Sequence, residues 1–132
     1  MSEQPDAAEL IAALPCTIEL PDNWTDYFTR SGPMPIEQND ERRHPRFYLR
    51  SAAALGYRST LPCLTRPAGS HRIYLKDISR SSIAFVHSEQ LFPREIFDVL
   101  LADGTQLFVA IVRCVKRHER CYEVAAMLTA KP

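Results

Sequence analysis

The chain has 132 residues, enough for one domain, with 45% hydrophobic and 24% charged residues, so disorder throughout is excluded. Sixteen lysines and arginines balance sixteen aspartates and glutamates, which argues against broad binding to a nucleic-acid backbone and leaves room only for a local cationic cluster. No apolar run approaches the roughly 20 residues of a membrane span, and the acidic start "MSEQPDAAEL" lacks the basic flank and apolar core of a signal peptide, so a cytoplasmic protein is expected.

Residues 1–40 are expected to form an N-terminal extension of short helices and a linker, and residues 41–130 a β-barrel domain. In the extension, Pro5 suits an early helical position, and Ala7, Ala8, Leu10, Ile11, Ala13 and Leu14 give an apolar face that Pro15 ends. A helix of that length is marginal alone in water and must dock on something. "LPDNWTDYFTRSGP" predicts a second short helix. Asp22 or Asn23 would cap it, Trp24, Tyr27 and Phe28 fall at i, i+3, i+4, and Ser31-Gly32-Pro33 ends it. That aromatic stripe reads either as packing on the main domain or as an anchor for a protein partner. "SGPMPIEQNDE" then reads as an extended linker.

"ERRHPRFYLR" follows, with four arginines and one histidine in ten residues. Pro45 pushes His44 out of the α region, so Arg42, Arg43, Arg46 and Arg50 are expected on extended chain rather than stacked on a helix. Guanidinium groups fork onto phosphate oxygens and stack on flat bases better than ammonium groups do. Read in isolation the arginines are also an ordinary solvated surface, with Asp40 and Glu41 beside Arg42.

From about Ser51 the texture is β. Six runs, "YRSTLPCLT", "RIYLKDIS", "SIAFVHS", "IFDVLLADG", "TQLFVAIVRCVKR" and "CYEVAAMLTA", are rich in β-branched and aromatic residues and separated by turn signals. Asp103-Gly104 marks one hairpin and "RHER" a second tip. The pattern predicts an all-β antiparallel barrel or sandwich.

Between the second and third runs lies "DISRSS". The Asp77 carboxylate there can accept two hydrogen bonds from the ring N–H and amino group of a guanine, and the Ser79 and Ser82 hydroxyls can satisfy polar groups nearby. The same residues also read as a plain strand-end turn.

An RxxxR segment (Arg42 to Arg46), followed about thirty residues on by a DxSxx turn and then by strands, resembles the PilZ domain, a bacterial receptor for cyclic di-GMP. The resemblance spans roughly Glu41 to Leu128 and includes "DGTQLFVAIVRCVKR" and "CYEVAAML" as late hairpin and closing strand. It implies a six-stranded antiparallel β-barrel with the arginine segment across its mouth. It also implies that Arg42 and Arg46 hold phosphates and stack on guanine while Asp77 and Ser79 contact a guanine. Arg43 and Arg80 are placed near the site by sequence proximity alone. Ser82 stands where the family has glycine, which predicts backbone strain and a weakened site, and Ala125 stands where the closing strand often has glycine.

The resemblance thus points to a non-enzymatic receptor that passes cyclic di-GMP binding to an unidentified protein partner, with no cofactor. The alternative is a degenerate PilZ-like interaction module that has lost the nucleotide. An RNA- or single-strand-binding barrel is a third reading, opposed by the neutral net charge.

Four histidines (His44, His71, His87, His118) show no metal-ligand spacing, and no catalytic signature is present. Cys16, Cys63, Cys114 and Cys121 have no CxxC spacing and are expected as thiols, although Cys114 and Cys121 could face each other across a hairpin.

Overall fold

The computed structural model describes residues 6–34, 45–59, 61–66 and 69–130. Helix α1 (Ala7–Ala13) begins where the Asp6 side chain accepts from the Glu9 N–H at 2.8 Å, an N-cap that precedes the expected apolar face. Seven strands follow: β1 (Phe47–Tyr48), β2 (Ala52–Ser59), β3 (Ser70–Ile78), β4 (Ser82–His87), β5 (Ile96–Leu100), β6 (Gln106–His118) and β7 (Cys121–Thr129).

Every pairing is antiparallel, in the order β1-β3-β2-β5-β6-β7-β4, and β3 also pairs with β4. That last ladder closes β2 to β7 into a six-stranded barrel with β1 as an extra strand on β3. Closure removes the sheet edges that would otherwise invite aggregation. Inward alternation fills the barrel with Leu55, Ile73, Leu75, Ile83, Phe85, Phe97, Val99, Val109, Ile111 and Val124, all nearly fully buried. The all-β barrel and both hairpins stand as expected. Gly104 takes φ +93° in the β5–β6 turn, where the Asp103 carboxylate accepts from the Thr105 N–H, and Arg120 takes φ +53° at the β6–β7 tip.

Two local expectations are corrected. The first barrel strand is Ala52–Ser59, not the run beginning at Tyr57, because Ala53, Ala54, Leu55 and Gly56 are all buried. One side of β2 faces the barrel interior and the other contacts α1, so the sequence shows no alternation. The second helix is reduced to one 3-10 turn, Tyr27–Thr29, without a side-chain cap. Its stretch is instead fixed by tertiary contacts: Tyr27 is buried with Val86 and Cys121 on the outer wall, under Ile18, Leu20 and Trp24. Cys114 and Cys121 do not face each other, since the register sets Cys114 opposite Val124 and Cys121 opposite His118, and all four cysteines are free.

One end of the barrel carries a polar layer. Glu95, fully buried, takes Arg66 in a two-pronged ion pair at 2.5 and 3.0 Å and accepts from the Phe92 N–H at 2.9 Å. Nearby, the His71 and His87 rings lie 6.0 Å apart, and neither ring nitrogen of His87 has a hydrogen-bond partner among the described residues. Burial, then the neighbouring His71 and Arg66, push His87 down from 6.5 to about 3, so it is held neutral. Among the described residues no helix is long and apolar enough to cross a membrane.

Candidate ligand-binding site

Two bulges build the site. On β3 the interior pair Leu75–Phe85 is followed by Asp77–Ala84 and then Ile78–Ile83, with Lys76 as the extra residue. Both Leu75 and Ile78 thereby reach the core, while Asp77 turns to the outer wall beside Ala84. On β6 the same shift occurs between Ile111 and Arg113, which turns Arg113 outward opposite Ala125. Register then aligns Tyr48, Asp77, Ala84, Ala125 and Arg113 in one lateral row over β1, β3, β4, β7 and β6.

Three interstrand steps put Asp77 and Arg113 about 14 Å apart along that row. The two alanines between them leave a shallow floor. The resulting depression has a volume of about 230 Å³ and is bordered by Arg46, Lys76, Asp77, Arg113, Arg117 and Glu123. Its charges are unevenly committed. Glu123 accepts from Lys76 and, at 2.6 and 2.9 Å, from Arg117. Burial pushes the Glu123 carboxyl up, but the hydrogen bonds from Lys76 and Arg117 outweigh it and hold the group below its usual range. Arg113 has no ion pair among the described residues.

Asp77 is the unusual member. Its residue is 3% exposed, yet the one ion pair it makes among the described residues is with Arg46 at 3.9 Å, beyond hydrogen-bond length. A buried carboxylate has about four acceptor positions, and leaving them without donors is costly. Arg46 is itself fixed: its carbonyl accepts from the Met34 N–H at 2.8 Å, and Pro33 bridges Phe47, so the chain on both sides of residues 35–44 is tied to this wall.

Of the residues singled out in the sequence, Arg46 and Asp77 are therefore brought together. Arg42 and Arg43 lie outside the described residues. Ser79 lies in the β3–β4 turn and Ser82 opens β4, two residue pairs beyond Asp77–Ala84, and neither lines the depression. The Ser79 hydroxyl accepts from the Ser82 N–H at 3.1 Å and pairs with the Ser82 hydroxyl at 2.8 Å.

The strain expected at Ser82 is absent. Ser82 opens β4, and the only non-glycine residues with positive φ are Arg94 and Arg120 among those described. The Ser82 hydroxyl engages Ser79, and its backbone is ordinary strand. Ala125 forms floor, opposite Ala84. Arg80 is exposed on the turn and does not reach the depression, and Arg50 is turned away, stacked on Tyr27 at 4.4 Å.

The sequence reading missed Lys76, Arg113, Arg117 and Glu123. Arg113 and Arg117, four residues apart in "TQLFVAIVRCVKR", were visible as a basic pair, but their alignment with Asp77 depends on the register of four strands. No protein-family model matches the chain, and no curated protein matches it in sequence.

Proposed function

We propose that the chain is a non-enzymatic receptor for cyclic di-GMP, a PilZ-like module in which the outer-wall depression receives the nucleotide. The observation that carries this reading is Asp77: a buried carboxylate aimed outward by a bulge, whose ion pair among the described residues is with an arginine at 3.9 Å. A guanine offers a ring N–H and an amino group side by side, a donor pair that such a carboxylate can accept.

Arg46, with Arg42 and Arg43 beside it in sequence, supplies guanidinium groups for phosphate and for stacking on the base. Arg113 at the far end of the row, without an ion pair among the described residues, offers its charge to a second phosphate. Ser79 and Ser82 border the guanine end, and their mutual hydrogen bond must yield for Ser79 to reach a ligand. The small floor at Ala84 and Ala125 allows a flat base to approach the strands. Binding is passed to a protein partner through the N-terminal extension, in the cytoplasm.

A second reading, a protein-interaction module without nucleotide, draws support from the Ser79–Ser82 pairing. The aromatic anchor suggested for it is weakened, because Tyr27 is 3% exposed and committed to the chain's own wall, which leaves Phe28 as the exposed ring. Thermal unfolding separates the two. With cyclic di-GMP at a hundred times its Kd, linkage predicts about 2.7 kcal/mol of stabilisation and a rise in Tm of several degrees. Arg46→Ala should reduce that rise. A Tm unchanged by nucleotide selects the second reading.

A further inference from the structure

Building on the receptor reading, we infer that Tyr27 and Arg50 form a latch that positions Asp77, so that docking of the N-terminal extension regulates the site. The β3 bulge has two sides. Its side chain Asp77 faces the depression, while its backbone carbonyls face the extension. The Tyr27 hydroxyl donates to the Leu75 carbonyl at 2.8 Å and lies 3.3 Å from that of Tyr74. Arg50 donates from Nε to the Lys76 carbonyl at 2.9 Å, and the Leu49 N–H donates to the same oxygen at 3.1 Å.

The two latch residues are joined to each other. The Arg50 guanidinium lies over the Tyr27 ring at 4.4 Å, over Tyr48 at 5.2 Å, and 3.4 Å from the Tyr27 carbonyl. Burial pushes the Tyr27 phenol well above its usual range, against the opposing charge of Arg50, which keeps the hydroxyl protonated and a donor at every physiological pH.

A bulge interrupts the ladder, so its carbonyls need partners from elsewhere. Leu49 and Arg50 hold the Lys76 carbonyl, but the Leu75 carbonyl draws its donor, Tyr27, from a segment with one seven-residue helix and one 3-10 turn, which has little stability of its own. A second depression of about 260 Å³, lined by Trp24, Asp26, Tyr27, Arg30, Arg50 and Lys76, marks the seam, and Lys76 borders both depressions. Lifting the extension removes the donors to Leu75 and frees Asp77 to leave its outward position. Ligand that needs Asp77 in place must, by reciprocity, tighten the extension onto the wall.

Tyr27→Phe keeps the ring and removes the donated hydrogen bond, and Thr25→Ala alters an exposed residue of the same segment as a control. The first arm uses the full chain without nucleotide. Hydrogen exchange at the Leu75, Lys76 and Asp77 amides should rise at least tenfold in Tyr27→Phe and stay at the wild-type rate in Thr25→Ala. Equal exchange in Tyr27→Phe and wild type overturns the latch.

The second arm titrates cyclic di-GMP. Affinity should fall about fivefold in Tyr27→Phe, the effect of one hydrogen bond. Nucleotide should slow exchange at residues 24–30 in wild type but not in Tyr27→Phe. Equal affinity, or equal protection in both proteins, again rejects the coupling. If neither protein binds nucleotide while the first arm shows faster exchange, the latch stands and the receptor reading alone fails.

Discussion

Among the described residues the barrel holds two buried carboxylates, each facing an arginine, and their surroundings are opposite. Glu95 is fully buried, gripped by both prongs of Arg66 and by the Phe92 N–H, and the Arg66 side chain is 10% exposed. Asp77 is nearly as buried but sees Arg46 only at 3.9 Å, and that guanidinium side chain is 31% exposed. A satisfied pair in a closed end fixes structure. A carboxylate whose ion pair among the described residues is long, beside an open depression, has acceptor positions to offer a ligand. Burial alone does not separate a structural acid from a functional one; the count of donors does.

The contrast can be broken most severely at Glu95. Glu95→Ala leaves the Arg66 charge buried without its partner and should cost about 3–5 kcal/mol of stability, read as a lowered midpoint in urea unfolding. Asp77→Asn removes a poorly paired charge and should leave that midpoint within about 1 kcal/mol of wild type. Comparable losses at both positions would erase the distinction.

A medium effect comes from His87 at the closed end. Its folded value of about 3 lies below the ordinary 6.5, so the unfolded chain takes up a proton that the folded chain refuses. Stability should therefore be fully present above pH 6.5 and fall by about 1.4 kcal/mol per pH unit as pH drops toward 3. Between pH 6.5 and 5, before most carboxylates titrate, wild type should lose about 2 kcal/mol. His87→Leu should be flat over that window, and a His87→Leu slope equal to that of wild type refutes the assignment.

The smallest effect is expected at Ser82, which has ordinary strand geometry. Ser82→Gly should lower stability by about 0.5–1 kcal/mol through backbone freedom. By releasing the Ser79 hydroxyl it should tighten cyclic di-GMP by no more than about threefold, as isothermal titration can resolve. A gain of a hundredfold would mean that backbone strain at this position governs the site after all.

What could be read from the sequence follows the physics of each element. Runs such as "SIAFVHS" and "TQLFVAIVRCVKR" emerged as strands because they are rich in β-branched and aromatic residues and bounded by turn signals. "AAALG" did not, because it holds no β-branched or aromatic residue and β2 is covered by α1 on its outer side. The spacing of Trp24, Tyr27 and Phe28 suggested a helix. Those rings stack on one another and on Tyr74, so tertiary contacts and not a helical ladder set their arrangement.

Within the site, Asp77 and Arg46 were legible as types of residue at a familiar spacing. The bulge that turns Asp77 outward was not, because it exists only as a shift between two strands. Arg113 and Glu123 likewise enter through cross-barrel register, which no local pattern encodes.

The most direct measurement is a calorimetric titration of cyclic di-GMP into wild type and Asp77→Asn, both checked for equal unfolding midpoints. The account predicts micromolar binding by wild type and at least tenfold weaker binding by the variant. Equal heats and equal affinity in the two proteins, or no heat in either, would contradict it.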